Sequence, residues 1–253
     1  MSKNNDLRRD EITKIVLSKE KVKVDELATM LNVTSETIRS DLTFLEAKGI
    51  LYRTHGGATL RNSNADIPMD IRIRERAEEK KSIAYTAINY INDDETIFID
   101  PSSTALPLGR LLRIKKNLTI VTNSYELLPI LSESEHLIIF VGGEYSKAGK
   151  RTFGPYAMDM LDSLYYDTCI LGMDGCLNID GPATADSNAS LMNAHILKRC
   201  KRKILLSDSS KFTLTCTYQY AKFTDFDLMI CDRITKEERA IINIPMIVES
   251  CKD

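Results

Sequence analysis

From residue 96 onward the chain repeats one pattern: a short, β-rich apolar run that stops at a polar or glycine-rich cluster. Thr96-Ile97-Phe98-Ile99 stops at Asp100-Pro101-Ser102-Ser103-Thr104, and Leu118-Thr119-Ile120-Val121 stops at Thr122-Asn123-Ser124. Leu137–Val141 stops at Gly142-Gly143, and Thr168–Leu171 at Gly172-Met173-Asp174-Gly175. Lys203–Leu206 leads to Asp208-Ser209-Ser210-Lys211, and Asp227–Ile230 to Asp232. Helical stretches lie between several of these runs, the first of them from Ser82 to Ile91. Strands alternating with helices argue for a mostly parallel sheet covered by helices.

Ligands of such sheets bind at the carboxyl ends of the strands, where the polar clusters fall. Ser102, Ser103 and Thr104 are expected to open a helix, whose free N–H groups and dipole suit a phosphate. Ser124 begins the next helix in the same way. Gly142 and Gly143 permit close backbone approach, and Asn123 stands beside Ser124 in the cluster after the second strand. Lys211 is placed to neutralise a phosphate, and Asp100 and Asp174 to accept from sugar hydroxyls. Each cluster alone has a plainer reading as a cap, a turn or a structural aspartate. The weight lies in their convergence on one sheet edge.

The first sixty residues follow a different pattern. Ile12, Ile15, Val16 and Leu17 recur at helical spacing between Leu7 and Ser18, and Leu27, Ala28 and Leu31 share one face of a second short helix. Asn32-Val33 makes a tight turn. Thr34 stands where a helix N-cap is expected, and Ile38, Leu42 and Leu45 form the buried stripe of a third helix. Gly49 sits at its C-cap. Ile50–Arg53 and Ala58–Leu60 then flank Thr54-His55-Gly56-Gly57 as a β-hairpin. Three helices and a hairpin make a winged helix-turn-helix, with the third helix in the major groove of DNA. Its outward residues are Ser35, Thr37, Arg39, Ser40 and Thr43, with Thr34 at the start. Arg53, His55, Gly56 and Gly57 are the candidate wing contacts. Such units also serve as protein–protein modules, and ten Lys/Arg against nine Asp/Glu in residues 1–60 give no argument from charge. Placement favours DNA, since Arg39 and the hydroxyls share the exposed face.

Over the whole chain of 253 residues, 34 Lys/Arg and 36 Asp/Glu leave a net charge of −2, which excludes a uniformly basic nucleic-acid binder. Arg61–Pro68 reads as a linker, giving a division into residues 1–60, a linker over 61–78 in which the charged run from Arg72 to Lys81 starts a helix, and residues 79–253. No targeting segment or membrane span is expected. The six cysteines form no C-x-x-C pair and read as buried free thiols, which points to the cytoplasm. His136 and His195 lack a histidine at i+4, so no metal is expected, and no cofactor is implied.

The stretch Val24–Ala28, Val33-Thr34-Ser35-Glu36-Thr37-Ile38-Arg39-Ser40-Asp41-Leu42, Leu45–Gly49 and Arg53-Thr54-His55-Gly56-Gly57-Ala58 resembles the DeoR family of bacterial transcription regulators. The resemblance continues through Thr122-Asn123-Ser124, Gly142-Gly143, Gly154-Pro155 and Asp208-x-x-Lys211-Phe212. It implies an α/β protein in which a winged helix-turn-helix precedes a sensor domain resembling ribose-5-phosphate isomerase. It also implies that Thr37, Arg39 and the wing contact double-stranded operator DNA, and that the effector is a phosphorylated sugar. The chain departs from the family at Ser40, usually a second arginine, and at Pro101-Ser102-Ser103, usually Ser-Gly-Thr. It departs again at Ala189, Ser190 and Asn193, usually Glu-Ala and a basic residue. Proline fixes φ and serine resists positive φ, so the loop after Asp100 has altered geometry.

Three functions follow as expectations. The first is a repressor of a carbohydrate-utilisation operon, released by the sugar phosphate and assembled as a homo-oligomer on paired half-sites. The second is a DNA-binding regulator with altered or lost effector response. The third is a sugar-phosphate isomerase-like enzyme using groups such as Asp174, Asp186, Glu144 and Lys211, against which no compact motif pairs two carboxylates with a base.

Overall fold

The computed structural model describes residues 3–19, 21–47, 51–60 and 69–250. The chain divides into two compact units, Met1–Ala65 and Asp66–Asp253. Gly49, Ile50 and the linker residues 61–68 lie outside the described residues, as does Cys251.

The first unit contains α1 (Lys3–Lys19), β1 (Lys21–Lys23), α2 (Val24–Met30), α3 (Ser35–Ala47), β2 (Leu51–Thr54) and β3 (Gly57–Leu60). Ile12 and Val16 of α1, Leu27 of α2 and Ile38, Leu42 and Leu45 of α3 meet in one core with Leu51 and Ala58. The helical periodicity thus delivers the three-helix unit it predicts. Thr34 Oγ1 accepts from the Thr37 N–H at 3.2 Å, the expected N-cap. One element escapes the periodicity. β1 joins the hairpin as a third strand, in the order β1-β3-β2, with Val22 opposite Ala58. Three residues are too few to carry an alternation.

The second unit opens with α4 (Met69–Arg74) and α5 (Ala77–Ala87). Then come β4 (Thr96–Ile99), α6 (Leu108–Leu111), β5 (Thr119–Thr122), α7 (Leu127–Leu131), β6 (Leu137–Phe140), β7 (Glu144–Ser146), β8 (Arg151–Phe153) and α8 (Pro155–Asp162). β9 (Tyr166–Gly172), β10 (Ala183–Thr184), α9 (Ser187–Leu197), β11 (Cys200–Ser207), β12 (Tyr218–Gln219), β13 (Leu228–Cys231), α10 (Lys236–Ile241) and β14 (Met246–Glu249) complete it. Seven strands form one sheet in the order β14-β13-β11-β9-β4-β5-β6, every neighbouring pair parallel. β14 is an edge strand that the sequence pattern did not separate from the chain end.

Side chains alternate between two cores, as the strand period of two demands. Ile97, Ile99, Ile120 and Ile170 pack with Ile83 of α5, Leu108 of α6 and Leu127 of α7. Phe98, Val121, Cys169 and Leu171 pack with Leu161 of α8 and Ile196 of α9. Both faces are therefore covered.

Two expectations are corrected here. The boundary moves: residues 69–78, assigned to the linker, belong to the second unit as α4 and the start of α5, the helix expected in the charged run, with a break at Arg76, whose φ is +51°. Arg72 and Lys80 in this run are buried against partners rather than solvated, which joins it to the second unit. Ser102-Ser103-Thr104 opens a run of turns, not a helix. The Leu106 N–H reaches Ser102 O at 3.2 Å, but Pro107 has no N–H to extend the ladder, and α6 begins only at Leu108.

Candidate functional site

The sheet reverses direction of growth between β4 and β9. β5 and β6 add to one side of β4, while β9, β11, β13 and β14 add to the other. Adjacent strands whose connections leave to opposite sides open a crevice beyond their carboxyl ends, the general ligand site of open α/β sheets. A cavity lies there, lined by residues from the ends of β4, β5 and β9, from α4, β8 and β10 and from α9.

Asp100 closes the floor of this crevice. Its Oδ1 accepts from the Ser102 N–H at 3.0 Å, and its Oδ2 accepts from the Gly172 N–H at 2.7 Å, bridging the ends of β4 and β9. Burial pushes its carboxyl above the usual range, and the hydrogen bonds from Ser102 and Gly172 only partly offset this. Gly172 is required by contact: a Cβ there would come within 2.5 Å of Ser102 Cβ. Ser102 Oγ accepts from the Ala105 N–H at 3.2 Å. The polar atoms of this loop are thus largely consumed by the loop itself.

Two arginine–aspartate pairs flank the cavity. Arg72 Nη1 of α4 donates to Asp174 Oδ1 at 2.9 Å, while Asp174 Oδ2 accepts from Thr184 Oγ1 at 2.8 Å and the Ala185 N–H at 3.2 Å. Burial alone would raise the Asp174 carboxyl, but Arg72, Lys211 and these hydrogen bonds outweigh it and hold it below the usual range. Arg151 Nη2 of β8 lies 2.8 Å from Asp186 Oδ2. Asp186 caps α9 by accepting from the Ala189 N–H at 2.9 Å. Asn123, after β5, donates through Nδ2 to Thr152 O at 2.9 Å.

Behind Asp174 lies a second charged cluster. Arg76 holds Asp232 Oδ2 at 2.5 Å and Asp208 Oδ1 at 3.2 Å. Burial pushes Lys80 down to about 8, with Lys211 and Arg72 acting in the same sense and Asp208 against. Lys80 Nζ donates to Arg72 O, so the backbone of α4 is anchored beside the cavity.

Of the residues singled out from sequence, Asp100, Ser102, Asn123 and Asp174 line the cavity together. Ser103 faces a separate groove between α5 and α6, and Thr104 is buried in the turn. Ser124 is buried and accepts through Oγ from the Leu127 N–H at 3.3 Å. Gly143 serves the β7–β8 hairpin: its φ is +136°, and a Cβ would meet Phe153 O at 2.4 Å, whereas Gly142 has open space. Lys211 is buried and is not among the residues lining the cavity, whose cations are Arg72 and Arg151. Neither arginine was singled out from sequence. Arg72 sat in a stretch read as linker, and Arg151 in a short hairpin with no strand signal. Ala189 and Asn193, two of the departures from the family pattern, line the same cavity.

On the first unit, α3 presents Arg39, Ser40 and Thr43 to solvent, with Ser35 and Thr37 half-buried and Thr34 exposed at its start. Glu36 stands on this face as well, 3.2 Å from Arg39, with side chains 84% and 53% exposed. Arg53 Nη1 of β2 donates to Thr43 Oγ1 at 2.7 Å, tying the wing to α3. His55 and Gly56 are exposed at the tip, while Gly57 is buried beneath β1. Asp41, on the buried side of α3, is held by Arg8 Nε at 2.5 Å and Arg9 Nε at 2.9 Å.

Residues 8–64 match the DeoR-like helix-turn-helix domain, and residues 75–233 match the DeoR C terminal sensor domain. The chain belongs to the DeoR family of transcription regulators. Among DeoR-type relatives, the transcriptional repressor GlcR of Bacillus subtilis is 29% identical over 86% of this chain and 84% of its own. The lactose phosphotransferase system repressor of Staphylococcus epidermidis is 30% identical over 92% of this chain and 94% of its own. Ribose 5-phosphate isomerase A of Neisseria gonorrhoeae shares 18% identity over 54% of each chain, with a TM-score of 0.40. Among the described residues no helix is long and apolar enough to cross a membrane, and no group of His, Cys, Asp and Glu is arranged to hold a metal ion.

Proposed function

We propose that this DeoR-family chain is a repressor of a carbohydrate-utilisation operon, released from its operator by a phosphorylated sugar. The first unit binds double-stranded DNA, and the second binds the effector in the crevice between β4 and β9. The observation that carries the effector reading is the cavity itself. Two arginines for an anion, and Asp100, Asp174 and Asn123 for hydroxyls, line one crevice at a topological switch point.

The DNA-contacting set is Arg39, Ser40, Thr43, Thr37, Ser35 and Thr34 on α3, with Arg53, His55, Gly56 and Gly57 in the wing. Arg39 reads a guanine edge once operator phosphates and bases displace Glu36. Two copies of the chain bind two half-sites related by symmetry, in the cytoplasm, where the operator is. The effector lowers DNA affinity because it binds the operator-bound and free conformations unequally.

The test is fluorescence anisotropy of the full-length protein on a duplex selected from a random library, titrated with sugar phosphates and their free sugars. Release of the duplex by one phosphate ester is the expected result. Binding of DNA that no member of the panel weakens would overturn the effector half. Turnover of a sugar phosphate by the purified protein would favour an enzyme.

A further inference from the structure

Two buried polar atoms on residues of the switch-point cavity have no partner among the described residues. They are Arg72 Nε, a donor, and Asn123 Oδ1, an acceptor. The amide orientation of Asn123 is fixed, because its Nδ2 donates to Thr152 O at 2.9 Å. Unpaired buried groups are rare in folded proteins, and each calls for an explanation. One missing acceptor and one missing donor in the lining of one cavity match a ligand that is anionic at one end and carries a hydroxyl.

We propose that the anionic group of the ligand is clamped by Arg72 and Arg151, and that a ligand hydroxyl donates to Asn123 Oδ1. This rests on the effector reading above and adds to it by assigning the two ends of the ligand. The ligand class is a phosphate monoester of a polyhydroxylated carbon chain.

Arg72 and Arg151 are 9% and 4% exposed, so both charges sit where solvent screens them little. Each is held in place by a carboxylate, Arg72 by Asp174 at 2.9 Å and Arg151 by Asp186 at 2.8 Å. A guanidinium presents its donors as a planar fork, so Arg72 can keep Asp174 on Nη1 and offer Nε to an anion. The interior of the cavity, about 40 Å³, has room for only a few waters. That space suits a phosphoryl group rather than a whole sugar phosphate. The turn after β4 does not compete for the anion. Asp100 takes the Ser102 N–H, Ser102 Oγ takes the Ala105 N–H, and Ser103 faces another groove.

The test uses the full-length protein and its Arg72→Gln, Arg72→Lys and Arg151→Gln variants. Ligand-induced shifts in unfolding temperature are read for each variant against its own ligand-free state, so a loss of basal stability does not obscure binding. The probes are inorganic phosphate, glucose 6-phosphate, fructose 6-phosphate, ribose 5-phosphate and the three free sugars. The expected result is that the best phosphorylated probe loses roughly 10- to 100-fold in affinity in both glutamine variants. Any response to the free sugar should stay where it was. Arg72→Lys should fall between, since it keeps the charge and loses the fork. Unchanged affinity for the phosphorylated probe in both glutamine variants would overturn the clamp and leave the effector reading standing. A free sugar that stabilises the wild type as strongly as its phosphate would overturn the clamp and with it the phosphorylated nature of the effector. No response of the wild type to any probe at millimolar concentration would overturn both.

Discussion

Arg72 and Asp174 lie 102 positions apart in the chain and meet at 2.9 Å, Nη1 to Oδ1. The pair joins α4, the first described element of the second unit, to the end of β9, the strand beside the switch point. Lys80 Nζ holds Arg72 O from behind. A ligand that redistributes the charge around Arg72 therefore acts on α4 directly.

Asp174→Asn should destabilise the protein by about 1–3 kcal/mol at neutral pH, the usual cost of leaving a buried charged partner unsatisfied. The Asp174 carboxyl is held below its ordinary value by Arg72, Lys211 and two hydrogen bonds that together outweigh burial. A depressed carboxylate contributes stability that is fully present above the unfolded value, about 3.9. That contribution is lost as pH falls through the folded value. The gap between wild type and variant should thus be flat from neutral pH down to roughly 4 and close below it. Urea unfolding of both proteins across this range reads it. A gap that persists unchanged in acid would mean that Asp174 acts through shape and not charge.

Lys80 has a slope of the same sign in an alkaline window. Burial brings its ammonium down to about 8, from 10.5 when unfolded, with Lys211 and Arg72 adding to the effect and Asp208 and Glu75 opposing it. Between these two values the unfolded chain binds more protons than the folded one, so wild-type stability gains as pH rises. Lys80→Met lacks this gain. Its stability relative to wild type should fall steadily from pH 7 to 9.5, measured by denaturant midpoints. Parallel profiles would show that Lys80 does not titrate in this window.

The sheet order and the three-helix unit follow from patterns a sequence displays openly: apolar runs ending at polar clusters, and stripes at helical spacing. Asp100, Ser102, Asn123 and Asp174 were found because they end strands. Arg72 and Arg151 were not, for two physical reasons. A buried arginine in a charged run looks the same in sequence as a solvated one, and its partner Asp174 lies 102 positions away. Arg151 starts a strand of three residues, too short for periodicity to register. Lys211, chosen for its charge, is buried and does not line the cavity, but its ammonium helps to hold the Asp174 carboxyl down.

The two wing glycines should separate cleanly. A Cβ on Gly57 would meet Val22 O at 2.1 Å, so Gly57→Ala cannot keep β1 paired to β3. It should abolish DNA binding and lower the unfolding temperature of the first unit. Gly56 has φ +83° with nothing within 4 Å. Gly56→Ala therefore carries only the left-handed backbone cost of roughly 1–2 kcal/mol, with DNA affinity largely kept. Circular dichroism melts and anisotropy on the two variants decide it. Equal effects would place the constraint in φ and not in the strand contact.

Ser40→Arg restores the residue usual in the family at an exposed position of α3. Ser40 shares a polar notch with Arg8, Arg9, Thr37 and Asp41. Arg8 and Arg9 are both committed to Asp41, so the notch offers little free positive charge to DNA. An arginine at position 40 adds one phosphate contact, and each such contact steepens the dependence of log affinity on log salt by about 0.9. The variant should bind the selected duplex and a scrambled one more tightly by similar factors, because a phosphate contact carries no sequence information. Glu36→Gln should also tighten binding by removing the carboxylate 3.2 Å from Arg39, but chiefly on the selected duplex, where Arg39 is then free to read a base. Anisotropy titrations from 50 to 200 mM salt distinguish the two. An unchanged salt slope for Ser40→Arg would mean that this face of α3 does not approach the phosphates, and would turn the base-reading surface toward Arg39 and Thr43.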